Sequence, residues 1–198
     1  VKSLGNYSVL KSSPAQTTVA YFNVGEGAAL GTLDARLAVM YAIDRQAIVN
    51  IAYKGESSCP SWPNSEDCTD YEPRFSNAID TYKTGYNQDL AKQYAEKSGL
   101  TSQTLRIINN GTELYSTIAQ VIQENLSAIG VKSEIISYDQ ATFFSILMDA
   151  SNYDIGLFLM SAPSRFAIEQ MTSWPGFIPM GWSGADREKF IELGQKGM

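Results

Sequence analysis

The side chains best able to do chemistry here are amides, hydroxyls, a phenol and a guanidinium at the ends of apolar runs: Asn23, Asn109, Asn110, Tyr138, Ser161, Ser164 and Arg165. Such groups hold a polar solute by hydrogen bonds. They do not assemble a nucleophile, because the chain has no histidine, which removes Ser-His-Asp and Cys-His systems and the commonest metal ligand. Paired carboxylates at Glu66/Asp67 and Asp186/Glu188 stand in polar stretches that keep them solvated. Neither a G-x-G-x-x-G turn after a strand nor a G-x-x-x-x-G-K-[ST] loop is present, so no nucleotide cofactor has its fingerprint. Trp174, in SWPGFIPMGW, can line an apolar ligand cleft or pack its loop onto its own domain. The inventory points to binding without catalysis or cofactor.

The chain of 198 residues suits one domain with a continuous core, and 44% hydrophobic against 18% charged residues is a globular balance. The formal charge of −6, with no run of Lys or Arg, lacks the footprint of nucleic-acid binding. No stretch nears the roughly 18 consecutive apolar residues of a membrane span. The start at Val1 and the stop inside a helix-like pattern suggest a piece of a longer protein. Cys59 and Cys68 bracket the loop CPSWPNSEDC. Two thiols without histidine cannot complete a Cys/His zinc site; a disulfide, implying an exported setting, is the simplest reading, and two unpaired cytosolic thiols the alternative.

These residues must be positioned by regular elements. TTVAYFNV (17–24) reads as a strand and 34–43 as a largely buried helix, with a second helical pattern running to Gly55. At their junction stands Asp44-Arg45. Asp44 fits a helix N-cap, with Arg45 in the first turn facing solvent or an acid such as Asp34; an exposed ion pair on one unbroken helix is the alternative. Residues 56–86 form a long excursion, followed by a helix in QDLAKQYAEKSGL between Asn87 and Gly99. Then TLRIINN (104–110), a helix at 112–130, VKSEIISY (131–138), a helix capped by Asp139, and YDIGLFLMSA (153–162) alternate as strand and helix. A last helix starts near Ser183. Alternation of this kind gives an α/β fold with a mainly parallel sheet flanked by helices. Ligands of such sheets lie outside the carboxyl ends of the strands, and that rule nominates the polar residues named above.

Four segments resemble the family 5 extracellular solute-binding proteins, which deliver peptides, nickel complexes and related solutes to ABC importers. VAYFNVG followed by LDARLAVMYAIDRQAIV is similar to the family's strand ending in Phe-Asn and its Ala-Ile-Asp-Arg helix junction. GYNQDLAKQYAEKSGL resembles its Tyr-Asn helix, and Thr104 to Ala162 resembles its strand and helix units with Ile-Gly-Val and Tyr-Asp. The resemblance spans about residues 19–162 and implies the second lobe of a two-lobe protein, with solute held between lobes and Asn23 facing the cleft. Peptide-binding members commonly place an Asp after the strand matched by YDIGLFLM; here the sequence reads SAPSRF, and Arg165 instead suits an anionic or carboxylate-bearing group.

The resemblance implies a non-enzyme: a monomeric lobe, 1–198, of an extracellular, surface-anchored or periplasmic protein that captures a small polar or peptide-like solute for an ABC transporter permease. A sensor or docking module using the same lobe independently of solute is the alternative from another class. A glycoside hydrolase would need two convergent acids with separated pKa values, and nothing in the sequence marks them.

Overall fold

The computed structural model describes residues 16–59, 85–149, 152–161 and 182–196. Their elements are β1 (Gln16–Phe22), α1 (Leu33–Ala42), α2 (Arg45–Ala52), α3 (Gln88–Ser98), a short 3-10 turn (Leu100–Ser102), β2 (Thr104–Asn109), α4 (Glu113–Ala128), β3 (Lys132–Ser137), α5 (Gln140–Leu147), β4 (Ile155–Ser161) and α6 (Ala185–Lys196). Among the described residues no helix is long and apolar enough to cross a membrane.

The four strands form one mixed sheet in the order β1-β4-β2-β3. β2 runs parallel to β3 and to β4, whereas β1 is antiparallel to β4. Alternation along β2 and β4 divides the core between two faces, since successive side chains of a strand point to opposite sides. Leu105, Ile107, Ile155 and Leu157 meet α1, α3 and α4 in the larger cluster. Ile108 meets Phe143 and Leu147 of α5, with Tyr153, in the smaller one. Gly156 permits the second packing, because a Cβ there would lie 2.6 Å from Leu147 Cδ1 and 3.4 Å from Tyr153 Cε2.

Local signals set the helix limits. Thr32 and Asn87 cap α1 and α3 by accepting hydrogen bonds from Ala35 N and Leu90 N. Gly99, at φ 75°, ends α3 in the left-handed conformation that glycine adopts without penalty. α1 packs along α3, with the Tyr41 and Tyr94 rings stacked 5.8 Å apart and Tyr41 O accepting from Asn87 N at 2.9 Å.

Asp44 does start a separate helix. Its Oδ1 accepts from Ala47 N at 2.9 Å, and its backbone N–H donates to Asn125 Oδ1 at 2.9 Å, tying the α1–α2 junction to α4. Asp34, named as a partner for Arg45, pairs with Lys97 at 3.0 Å. Of the expected Cys59–Cys68 pair, Cys59 is an exposed free thiol and Cys68 lies outside the described residues, as does most of the 56–86 excursion. Asp44→Ala should lower stability by about 1 kcal/mol, the usual cost of losing a cap, and Asp44→Asn by much less; paired urea melts measure the difference.

Candidate functional site

β2 ends at Asn109, and the chain turns through Asn110, Gly111 and Thr112 into α4. Gly111 has φ 73°, and a Cβ on it would lie 3.2 Å from Tyr138 O, so conformation and crowding both call for glycine. The Asn109 side chain is fully buried and works inside this turn. Its Oδ1 accepts from Gly111 N at 2.8 Å and from Ser137 Oγ at 3.2 Å, while its backbone oxygen accepts from Tyr138 N at 3.0 Å. Its Nδ2 is a buried donor without a hydrogen-bond partner. Asn109 thus holds the tips of β2 and β3 together from beneath.

Asn110 joins the two turns from above. Its Nδ2 donates to Gln140 Oε1 at 2.8 Å, and its Oδ1 accepts from Thr112 N at 3.3 Å and Thr112 Oγ1 at 3.0 Å. Because the Thr112 hydroxyl is turned to Asn110, it gives α4 no side-chain cap. α5 is capped differently: Asp139 Oδ1 accepts from Ala141 N at 3.0 Å and Thr142 N at 3.1 Å, and Oδ2 accepts from Thr142 Oγ1 at 2.6 Å. These bonds, led by that from the Thr142 hydroxyl, hold the Asp139 carboxyl below its ordinary value. Helices α4 and α5 both begin at this end, so the partial positive charge of two helix N-termini converges on it. Tyr138, half-buried between the turns, packs against the smaller apolar cluster.

Ser161 stands at the same end but further out. The β2–β4 pairing stops at Ile108↔Gly156, after which β2 adds only Asn109 while β4 continues to Ser161, alongside Gln16 of β1. The step of four residues carries the β1–β4 ribbon ~13 Å past the β2 tip, at 3.3 Å per residue. Phe158 on this ribbon packs edge-on against Phe144, with ring centroids 4.9 Å apart. The result is a corner between a projecting ribbon and a polar floor. Ser164, Arg165 and Trp174 lie outside the described residues.

Asn23 is not part of this corner. β1 is antiparallel, so its last residues lie beside the start of β4, Phe22 opposite Ile155, at the amino ends of the parallel strands. Asn23 N donates to Asp154 O at 3.0 Å, Asn23 Nδ2 donates to Tyr153 O at 3.2 Å, and Asn23 Oδ1 accepts from Gly25 N at 3.1 Å. With Gln103, Arg106 and Asp154 it lines an open groove of about 580 Å³ at the far pole. Asp154 Oδ2 accepts from Arg106 N at 2.7 Å and Arg106 Nε at 3.3 Å there. Sequence reasoning also missed Thr112, Ser137 and Gln140 as members of the tip network. The available signal was an Asn-Asn-Gly turn after one parallel strand and an Asp cap after its neighbour.

The family model described as bacterial extracellular solute-binding proteins, family 5 middle, matches residues 1–176. The chain belongs to that family. No curated protein sequence matches it. Similar solved structures share the fold at low sequence identity. A dipeptide-binding protein from Pseudoalteromonas sp. SM9913 in complex with Met-Leu has TM-score 0.76 and 17% identity, over 100% of this chain and 44% of that one. NikA from Brucella suis in complex with Fe(III)-EDTA has TM-score 0.78 and 14% identity, over 98% and 41%. The periplasmic oligopeptide-binding protein of an oligopeptide ABC transporter from Thermotoga maritima has TM-score 0.72 and 19% identity, over 92% and 39%. The family 5 chain thus spans less than half the length of each, and the likeness shows a shared α/β fold.

Thr142→Val should move the Asp139 pKa up toward the ordinary carboxylate value, read by an NMR pH titration of its carboxyl carbon. A depressed carboxylate stabilises the fold fully above its unfolded value of about 4, and that contribution is lost as pH falls through the folded value. The variant should therefore lose less stability than the parent chain over that acid range.

Proposed function

We propose that this chain is one lobe of an extracellular or periplasmic solute-binding protein, and that the corner at the strand tips is one wall of its solute crevice. The reading is supported chiefly by the convergence of the Asn110, Thr112 and Gln140 network with two helix N-termini below the projecting β1–β4 ribbon. Such a floor offers fixed polar groups to a solute, and Phe144 and Phe158 add apolar contact area, the combination found in small-molecule sites, with Trp174 a further proposed contact. Asn110, Tyr138, Ser161, Ser164 and Arg165 are its proposed solute contacts. Asn109 is a positioning residue, since it is sealed beneath the turn.

The solute is small and polar, peptide-like, and carries a carboxylate that suits Arg165. The lobe binds it without chemical change, and the parent protein, a monomer held at the cell surface or in the periplasm, passes it to an ABC transporter permease. Membership in a solute-binding family and likeness to a dipeptide-binding protein support this assignment. The test uses the full-length parent protein and a panel of dipeptides and tripeptides in thermal melts. A ligand that binds only native protein stabilises it by about 2.7 kcal/mol at a hundredfold excess over Kd. One peptide class should raise Tm in the parent protein and fail to do so in Tyr138→Ala and Arg165→Ala. A persistent partner complex unaffected by every peptide would instead make the lobe a docking module.

A further inference from the structure

Asn110 and Gly111 form an asparagine-glycine pair in the tip turn, and that pair carries a reaction of its own. The backbone nitrogen of Gly111 can attack the carboxamide carbon of Asn110, since glycine has no side chain to obstruct the approach. The Gly111 N–Asn110 Cγ bond forms, the Gly111 N–H proton is lost, the Cγ–Nδ2 bond breaks and ammonia leaves, giving a five-membered succinimide. Water then adds to either ring carbonyl and opens it to aspartate or isoaspartate at position 110. The only co-reactant is water.

The structure holds both reacting groups away from this path. The attacking Gly111 N–H is donated to Asn109 Oδ1 at 2.8 Å, and Asn109 is fully buried, so that acceptor does not drift. The carboxamide under attack is fixed at both ends: Nδ2 by Gln140 Oε1 at 2.8 Å, and Oδ1 by Thr112 N at 3.3 Å and Thr112 Oγ1 at 3.0 Å. Ring closure requires these bonds to open together. We propose that Asn110–Gly111 is a self-modification site restrained by Asn109 and Gln140, which act as positioning residues against succinimide formation.

The product would not fit the turn that produced it. A carboxylate at position 110 has no N–H for Gln140 Oε1, and an isoaspartyl link adds a backbone carbon to a turn where even a Cβ on Gly111 would lie 3.2 Å from Tyr138 O. Modification therefore breaks the Asn110–Gln140 link between the two turns, while Asn109 still joins the tips of β2 and β3. This inference stands independently of the solute proposal, because its readout is chemical.

The experiment incubates the full-length parent protein at mildly alkaline pH and follows position 110 by peptide mapping, with mass spectrometry for the amide-to-acid conversion and isoaspartyl methyltransferase labelling for the isomer. The folded protein should convert more slowly than the same protein in urea. Gln140→Ala and Asn109→Ala should each accelerate conversion in the folded protein by roughly five- to tenfold, the factor set by releasing one hydrogen bond. Gln140→Ala touches only exposed groups and serves if Asn109→Ala does not fold; Asn110→Gln should abolish the product. Equal rates in folded and urea-unfolded protein, or a rate in Gln140→Ala equal to that of the unsubstituted protein, would overturn the proposal.

Discussion

Strand β2 constrains the rest. It is hydrogen-bonded on both edges, to β3 and β4, and packed on both faces, so Leu105, Ile107 and Ile108 are fully buried. Polar side chains on a strand so enclosed need a partner or a route to solvent, because a buried polar group without either is costly. Polar chemistry is driven to its two ends. At one end Asn109 fixes the turn into α4; at the other Arg106 N–H meets Asp154. The two clusters and the two helix N-termini are arranged around that division.

Much of this was legible in the sequence because the signals were local. Caps at Asp44, Asn87 and Asp139 and stops at Gly99 and Gly130 depend on a few consecutive residues, and the structure places the helix ends within one or two positions of them. Strand and helix alternation from Thr104 to Ser161 likewise follows from apolar spacing, and the mainly parallel sheet with it. Relative strand direction is another matter. β1 is separated from β2 by three described helices and the excursion between them, and nothing in TTVAYFNV records which way it runs.

That missing direction decides the fate of Asn23. β1 ends at Phe22, and Asn23 Oδ1 accepts from Gly25 N just beyond it. The strand-tip rule applies only to strands that share a direction, however, so the antiparallel β1 delivers its amide to the opposite pole. Asn109 shows the complementary difficulty. Its place at a strand tip was readable, but its burial was not, because burial depends on Ser137 and Tyr138 arriving from β3. The residues that link the turns, Thr112 and Gln140, carry no signal until the two loops are seen side by side.

The β1–β4 ribbon has a mechanical consequence. Gln16 and Ser161 face each other, so the backbone passes into β1 and out of β4 at a single point. Tension between those positions acts across the ladder and opens its rungs in sequence, whereas a pull along the strands would load all of them together. The projecting ribbon is therefore the compliant part of the sheet, able to peel from its outer end while the β2–β3 floor stays intact.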